Sequence, residues 1–263
     1  MDLGLKDKVA VITGGSVGIG LAVAKCFAAE GAHVAITARN VERLEAAKAE
    51  ILAAGAVRVI AINSDVATMD GVNAVVAAVS KEFRGADILV NNAGTGSNET
   101  IMDAPDEKWQ YYWDLHVMAA MRLARGLVPS MKERGGGVIL NNASICAAQP
   151  LWYEPIYNVT KAALVMLSKT MANEFIKDGI RVNAINPGFV LTPDWIKTAK
   201  QLTADTGGDW QGYIDGLAKE NAPIARFASP EEIADFFVFL CSSRASYAVG
   251  STYFLDGGML KTI

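Results

Sequence analysis

The sequence predicts an α/β fold, a single domain built on one doubly wound parallel sheet of about seven strands. Short β-branched apolar runs alternate with longer segments whose apolar residues repeat at helical spacing, as in strand–helix–strand units. No Pro-, Gly- or Ser-rich linker separates two cores, and 263 residues are within the size that one core can organise. We therefore expect residues 1–263 to form one domain.

The apolar runs predict the strands, and the segments between them predict the helices. The strands are predicted at residues 9–13, 33–38, 57–62, 88–91, 137–141, 181–185 and 252–255. The helices are predicted at residues 18–30, 41–54, 71–83, 107–133, 156–177 and 230–242. Continuous hydrophobic stretches such as ILV and VIL indicate strands that helices cover on both faces.

Residues 192–221 interrupt this alternation between the sixth strand and the last helix. The segment holds prolines, glycines and aromatic residues, namely Pro193, Trp195, Gly207, Gly208, Trp210 and Tyr213. Insertions that follow a strand of such a sheet tend to lie over the ligand. We predict a mobile helical flap that covers the substrate.

Composition and charge exclude several classes of protein. A chain that is 51% hydrophobic and 20% charged is globular rather than disordered. Its net charge of −4 and its scattered basic residues offer no stripe for nucleic acid. The chain has no stretch of ~18 uncharged apolar residues and no secretory signal pattern. These features predict a cytoplasmic protein without nucleic-acid or membrane partners.

The three cysteines, Cys26, Cys146 and Cys241, are odd in number and far apart, which argues against disulfides and zinc ligation. We expect reduced thiols and no bound metal. Cys146 lies two residues after Ser144, where a nucleophile is conceivable, but neither histidine lies in a motif that would activate it. A catalytic Cys146 is therefore the weaker interpretation.

A glycine cluster follows the first predicted strand and opens the first predicted helix. Its members predicted to bind a dinucleotide are Gly14, Ser16, Val17, Gly18, Ile19 and Gly20. Glycines let the backbone turn tightly and approach a pyrophosphate, and the helix N-terminus presents free N–H groups to it. The alternative is a tight strand–helix turn without a ligand.

The end of the second strand carries Arg39 and no carboxylate. An Asp or Glu at this place binds the ribose 2′-hydroxyl of NAD, whereas the donor fork of an arginine suits the 2′-phosphate of NADP. We therefore expect NADP as the preferred cofactor. The alternative is that Arg39 is a solvated residue at a helix start and that NAD is also used.

Tyr157 and Lys161 lie four residues apart in a strongly helical segment, so they share one helix face. A nearby ammonium, together with an oxidised nicotinamide, would lower the phenol pKa towards the range of a general acid or base. Ser144 follows the fifth strand at the edge of the sheet where ligands bind, and its hydroxyl can hold a substrate oxygen. The alternative for the pair is a surface Tyr and Lys without chemistry.

Five motifs together resemble the short-chain dehydrogenase/reductase family, and most closely its 3-oxoacyl-carrier-protein reductase-like members. They are TGGSVGIG at 13–20, NNAG at 91–94, Ser144 with YxxxK at 157–161, NPG at 186–188 and LDGG at 255–258. The resemblance covers essentially the whole chain. It implies a Rossmann fold, a Ser–Tyr–Lys active site, hydride transfer with a nicotinamide dinucleotide and a homotetramer built on the long helices.

The resemblance also implies further cofactor contacts. Asp65 and Val66 would contact the adenine, and Asn92 would lie along the ribose side. Tyr157 and Lys161 would flank the nicotinamide end, with Lys161 on its ribose. Val190 and Thr192 would position the carboxamide. In the glycine loop, Val17 stands where NADP-dependent members often carry a basic residue, so the expectation of NADP depends on Arg39.

A second departure from the family concerns residue 116. The family has an Asn thirteen residues before the proline of the long helix, where it supports a water relay to the catalytic lysine, but this chain has His116. We hypothesise that His116 replaces the Asn, because imidazole can accept on one nitrogen and donate on the other. The alternative is a packed or surface histidine without a role.

The leading functional hypothesis is an NADP-dependent reductase of a ketone. The alternatives are an NAD-linked secondary alcohol dehydrogenase and a catalytically silent dinucleotide-sensing protein. Several residues near the active-site mouth would shape a pocket for a cyclic or medium-sized hydrophobic carbonyl, or serve oligomer contacts; they are Gln149, Trp152, Tyr153, Trp195 and Trp210. A second aromatic cluster is interpreted as packing; it comprises Trp109, Tyr111, Tyr112 and Trp113.

Overall fold

The structure, a computed structural model, describes residues 2–55, 58–96, 98–151 and 154–261. Seven parallel strands form one sheet in the order β3-β2-β1-β4-β5-β6-β7. They are β1 (Val9–Thr13), β2 (His33–Ala38), β3 (Val59–Asn63), β4 (Ile88–Asn91), β5 (Gly137–Asn142), β6 (Ile180–Pro187) and β7 (Thr252–Leu255). The predicted α/β fold with a doubly wound parallel sheet is confirmed.

Helices cover both faces of this sheet. They are α1 (Gly18–Ala29), α2 (Val41–Ala54), α3 (Met69–Phe83), α4 (Asp106–Trp113), α5 (Ala119–Glu133), α6 (Pro155–Phe175), α7 (Pro193–Thr203), α8 (Trp210–Asn221) and α9 (Pro230–Cys241). Helices α1, α2 and α9 bury one face, with Phe27 and Phe237 fully inside. Helices α3, α5 and α6 bury the other, around Leu123 and Leu127. Strands buried on both sides explain the continuous hydrophobic runs.

The strand order reverses between β1 and β4. The chain moves outward from β1 through β2 to β3 and then returns to pair β4 with the other side of β1. Loops that leave neighbouring strands in opposite directions open a crevice at the carboxyl ends of those strands. The glycine loop after β1 and the NNAG segment after β4 therefore face each other.

Most elements match their predicted bounds to within one or two residues, and three differences are instructive. Strand β6 extends to Pro187 because its last residues continue to pair with β7, Pro187 lying opposite Leu255. Strand β3 begins at Val59, and the predicted first residue, Val57, lies outside the described residues. The helix predicted at 107–133 contains a π-helical stretch at Asp114–Met118 between α4 and α5. Such bulges are frequent at functional sites.

The segment predicted as a flap forms helices α7 and α8. Thr192 caps α7 through a bond from the Trp195 N–H (3.4 Å). The two helices share a small core of their own, whose members include Ala199, Ile214, Ala218 and Phe227. A substructure that packs mainly on itself can move as a unit, and its covering of a substrate remains a prediction.

The hydroxyl of Thr13 fastens β1 to the loop after β4. Its oxygen accepts the N–H groups of Asn92 and Ala93, both at 2.9 Å, and the side chain is buried. In return, the Asn92 amide donates to the carbonyls of Thr13 (3.0 Å) and Gly14 (3.3 Å). These bonds hold the glycine loop against the end of β4.

We predict that Thr13→Val lowers the free energy of unfolding by about 1–3 kcal/mol, because the isosteric side chain leaves two partly buried N–H groups without an acceptor. Urea unfolding followed by circular dichroism measures the change. The matched control is Thr170→Val, which removes an exposed hydroxyl that donates to the carbonyl of Met166 in its own helix. This variant should lose no more than about 0.5 kcal/mol of the free energy of unfolding. Equal losses in the two variants would contradict the role of Thr13.

Candidate active site

The glycine loop has the backbone that a pyrophosphate site requires. Gly14 and Gly18 have φ angles of +64° and +57°, which favour glycine. A Cβ on Gly20 would lie 2.2 Å from the carbonyl oxygen of Gly14. Val17 precedes α1, its side chain does not cap the first turn, and that turn holds no acidic residue. The loop therefore leaves N–H groups and a positive helix end for an anion.

Asn92 connects the carboxyl ends of three strands. Besides its bonds to Thr13 and Gly14, its side-chain oxygen accepts a hydrogen bond from the amide of Asn142 at 2.8 Å. Thr13 ends β1, Asn92 follows β4, and Asn142 ends β5. The residue that the family resemblance places beside the ribose thus also shapes the wall of the crevice.

Arg39 lies exposed immediately after β2. Its Nη1 donates a hydrogen bond to the hydroxyl of Tyr111 at 2.8 Å. No carboxylate among the described residues forms an ion pair with it. The guanidinium charge at this end of the sheet is therefore uncompensated by the described side chains, as a phosphate site needs.

The remaining predicted cofactor residues line the same edge of the sheet. The carboxylate of Asp65 accepts the N–H of Ala67 (3.0 Å) in the turn before α3, and Val66 is buried. Val190 is buried and forms a parallel bridge with Ala228. A Cβ on Gly18 would lie 3.4 Å from the methyl group of Thr192. The base of the flap therefore borders the glycine loop.

Tyr157, Lys161 and Ser144 come together at the crevice. Tyr157 and Lys161 lie one turn apart on α6, and the Lys161 Nζ is 5.3 Å from the centre of the Tyr157 ring. The side chain of Ser144 lies close enough to the Tyr157 phenol to lower its pKa. The Ser144 Oγ accepts the N–H of Cys146 (3.2 Å), which fixes its rotamer. The helical spacing and the strand end therefore deliver the predicted constellation.

Burial governs the protonation of this group. Lys161 is buried, donates to the carbonyl of Asn142 at 2.7 Å, and burial lowers its pKa to about 8. Burial raises the pKa of Tyr157 above its usual value, the charges of Cys146 and Glu154 raise it further, and the side chain of Ser144 lowers it. In the protein alone, desolvation is the largest influence on the phenol pKa, and the lowering expected from Lys161 together with an oxidised nicotinamide stays a prediction.

His116 lies on the π-helical stretch and is 3% exposed. Its Nε2 accepts the N–H of Thr95 (3.4 Å), so Nδ1 carries the proton and donates to the hydroxyl of Thr160 (2.8 Å). Thr160 in turn donates to the carbonyl of Ile156 (2.9 Å). Burial, followed by the charge of Lys161, lowers the pKa of His116 well below its usual value. The imidazole is therefore neutral at physiological pH.

The ring of His116 contacts the catalytic pair. It lies edge-on to the ring of Tyr157, with 5.6 Å between centroids. A Cβ on Gly94 would lie 3.1 Å from its Nε2 and 3.6 Å from the Lys161 ammonium. A side chain at position 94 would therefore separate the imidazole from the lysine, and the glycine of NNAG keeps them close.

Other residues fall outside or beside the site. Burial raises the pKa of Cys146, which makes it a poor nucleophile. Trp195 packs edge-on against Phe189 (5.4 Å between centroids), which precedes the flap, and Trp210 belongs to the same apolar cluster. Gln149 is exposed. The predicted pocket residues Trp152 and Tyr153 lie outside the described residues.

Two site residues were not predicted from the sequence. A Cβ on Gly96 would lie 3.1 Å from a carboxylate oxygen of Glu154, which places this acid near the mouth of the crevice. Its position three residues before Tyr157 was the only sequence signal. Tyr111, interpreted as packing, reaches Arg39 across the crevice. No local pattern joins two residues 72 positions apart.

A glycine loop at the reversal of a parallel sheet, beside a half-buried tyrosine and a buried lysine, defines a dinucleotide-dependent oxidoreductase. A family model described as enoyl-(acyl carrier protein) reductase matches residues 14–260. The chain belongs to the short-chain dehydrogenase/reductase family.

Its relatives include sugar and sugar-alcohol enzymes. The crystal structure of an L-sorbose reductase from Gluconobacter frateurii, complexed with NADPH and L-sorbose, is 69% identical over 100% of both chains, with a TM-score of 0.99. Galactitol 2-dehydrogenase of Agrobacterium fabrum is 35% identical, over 97% of this chain and 98% of its own length. Human dehydrogenase/reductase SDR family member 4 is 34% identical, over 97% and 88%.

Two further features concern membranes and metals. No helix in the described ranges is long and apolar enough to cross a bilayer. Within the same ranges, no group of three or more His, Cys, Asp or Glu side chains is placed to hold a metal ion.

We predict a pH-dependent stability that comes from Lys161. Folding lowers its pKa from 10.5 to about 8, so between these pH values the unfolded chain holds a proton that the folded chain has released. The free energy of unfolding therefore rises with pH in this window. Relative to Lys161→Met, the wild type should gain about 3 kcal/mol between pH 8 and 10.5.

Chemical unfolding of both proteins across this window measures the gain. Because Lys161→Met lacks the titrating group but keeps a chain of similar length, the difference between the proteins isolates the lysine. A difference that does not change with pH would contradict the lowered pKa.

Proposed function

We propose that this protein is an NADP-dependent reductase that converts a hydroxylated ketone, a ketose such as L-sorbose, into the secondary alcohol. The observation that carries the proposal is the convergence of Ser144, Tyr157 and Lys161 beside the glycine loop. The 69% identity to an L-sorbose reductase with bound NADPH supports both the cofactor and the substrate class.

The residues along the crevice would hold NADPH from its adenine to its nicotinamide. The glycine loop and the N-terminus of α1 would hold the pyrophosphate, Arg39 the 2′-phosphate, and Asp65 and Val66 the adenine. Asn92, Val190 and Thr192 would line the ribose and carboxamide. When bound, NADPH supplies the hydride that reduces the carbonyl carbon. The absence of a carboxylate after β2 favours NADP over NAD, in agreement with the relative.

Tyr157 donates the proton to the substrate oxygen. Its high pKa keeps the hydroxyl protonated before reaction, and the Ser144 hydroxyl beside it orients the substrate carbonyl. Lys161, whose pKa is about 8, exchanges its proton near neutral pH and can return one towards the tyrosine. The Asn142 carbonyl holds the ammonium in place for this step.

His116 acts as a positioning residue in this scheme. Its neutral ring packs edge-on to Tyr157 and takes the place of the family's asparagine, while the N–H of Thr95 fixes its tautomer. Tyr157 and Thr160 share α6, so one helix orients both the acid and the imidazole. The π-helical stretch supplies the local shift that turns position 116 inward.

Glu154 favours a substrate rich in hydroxyl groups. Its negative charge raises the pKa of Tyr157, Cys146 and Tyr112, so the carboxylate lies within electrostatic reach of the catalytic centre. A carboxylate accepts hydrogen bonds from hydroxyls and disfavours an apolar ligand. We therefore propose a polyhydroxy ketone in place of the hydrophobic carbonyl that the aromatic residues suggested.

The outer face of α6 supports the proposed homotetramer. Val159, Ala162 and Met166 repeat at helical spacing and are exposed, Met166 by 67%. An apolar stripe on a long helix is a typical contact between subunits. Two alternatives remain: an NAD-linked alcohol dehydrogenase, disfavoured by Arg39, and a silent dinucleotide sensor, disfavoured by the intact catalytic group.

We predict that Tyr157→Phe lowers kcat for L-sorbose reduction by about 10²- to 10⁴-fold, because the proton donor is lost. NADPH should still bind with an unchanged Kd. Absorbance at the NADPH band measures turnover, and nicotinamide fluorescence measures binding. Tyr213→Phe, which removes an exposed hydroxyl on α8, is the matched control and should keep full activity.

Three results would overturn parts of this proposal. Turnover retained by Tyr157→Phe would exclude the tyrosine as acid. A wild type that reduces no ketose with NADPH would exclude the substrate class. Tighter binding of NADH than of NADPH would exclude the cofactor assignment and favour the NAD-linked alternative.

We predict that His116→Ala lowers kcat by about 10- to 100-fold and changes its pH profile, because Tyr157 and Lys161 lose the ring that positions them. His116→Asn, which restores the family residue, should recover part of the rate. Steady-state kinetics from pH 6 to 10 compares the three proteins. An unchanged kcat and pH profile in His116→Ala would leave the histidine with a packing role only.

A further inference from the structure

The bond between Arg39 and Tyr111 links the two walls of the crevice. Arg39 follows β2, whereas Tyr111 lies on α4, and their side chains meet at 2.8 Å. The main chain of Arg39 is also held, because the Asn63 amide at the end of β3 donates to its carbonyl (2.8 Å) and to that of Ala38 (3.3 Å). Hydrogen bonds therefore hold both the main chain and the side chain of this exposed residue.

The partner of the guanidinium is a neutral hydroxyl. A phenol oxygen accepts an N–H of the arginine without cancelling its charge, whereas an Asp or Glu at the same place would neutralise it. The bond uses one of five N–H donors and leaves four for an anion. Asn40, the next residue, caps α2, and the positive end of that helix adds to the potential.

Tyr111 is itself held in a defined position. Its ring lies edge-on to that of Tyr112, with 5.8 Å between centroids, and packs against the core cluster of α3, α5 and α6. The hydroxyl of Tyr112 donates to the carbonyl of Gly96 (2.6 Å), which steadies the pair. The phenol therefore offers a fixed anchor to a long, exposed side chain.

We propose that Tyr111 is a positioning residue for cofactor selectivity. Its hydroxyl holds the guanidinium of Arg39 at the carboxyl end of β2 with the charge intact, so that the free donors meet the 2′-phosphate of NADPH. Ordering the side chain in advance reduces the entropy lost on binding. The inference rests on the proposed function, which places the 2′-phosphate at Arg39.

The test compares Kd values for NADPH and NADH in Tyr111→Phe, measured by fluorescence titration. We expect the Kd for NADPH to rise about three- to ten-fold and the Kd for NADH to stay within about two-fold, because only NADPH carries the 2′-phosphate. Tyr247→Phe, which removes a fully exposed hydroxyl, is the matched control and should change neither. If Tyr111 had only a structural role, Tyr111→Phe would raise the Kd values for NADPH and NADH alike.

A double-mutant cycle with Arg39→Ala separates this inference from the proposed function. In a protein that already carries Arg39→Ala, adding Tyr111→Phe should not change the Kd for NADPH further. If Arg39→Ala loses the preference for NADPH while the Kd values of Tyr111→Phe equal those of the wild type, the inference about Tyr111 is overturned and the assignment of the 2′-phosphate to Arg39 stands. Selectivity retained in Arg39→Ala would overturn the assignment of the 2′-phosphate as well. Tighter NADPH binding in Tyr111→Phe would mean that the two groups compete for the guanidinium, which also overturns the inference.

Discussion

One chain of hydrogen bonds joins the glycine loop to Lys161, and the candidate site depends on it. It begins at Thr13, passes through Asn92 to Asn142, and ends where the Asn142 carbonyl accepts the ammonium of Lys161. The members come from β1, β4, β5 and α6. Because each bond is buried or partly buried, breaking one leaves polar groups without partners. The position of Lys161 relative to the glycine loop is thereby fixed.

Burial explains why the pKa values of the side chains at this site differ from those of exposed groups. Lys161 is buried, and the loss of solvation lowers its pKa, although the Asn142 carbonyl accepts a hydrogen bond from its ammonium. His116 is buried beside it and stays neutral for the same reason. Tyr157 keeps its proton. The site therefore stores one proton on the tyrosine and a second, more labile one on the lysine.

The sequence predicted most of the secondary structure because parallel strands covered on both faces need uninterrupted apolar runs. It also predicted Ser144, Tyr157 and Lys161, whose order is set by a strand end and one helical turn. It did not predict that Trp195 and Trp210 join one apolar cluster with Phe189 and Phe227. It also missed Glu154 and the bond between Arg39 and Tyr111, because their proximity arises only when distant elements are brought to one sheet edge.

By itself the sequence determined the fold, the family, the glycine loop and the spacing of the catalytic pair, since these depend on local periodicity and on backbone conformations that particular residues adopt. Only the tertiary structure decided the tautomer of His116, the low pKa of Lys161 and the anchoring of Arg39. Those properties depend on burial and on hydrogen-bond partners contributed by other strands and helices, such as Thr95, Asn142 and Tyr111, which no sequence spacing specifies.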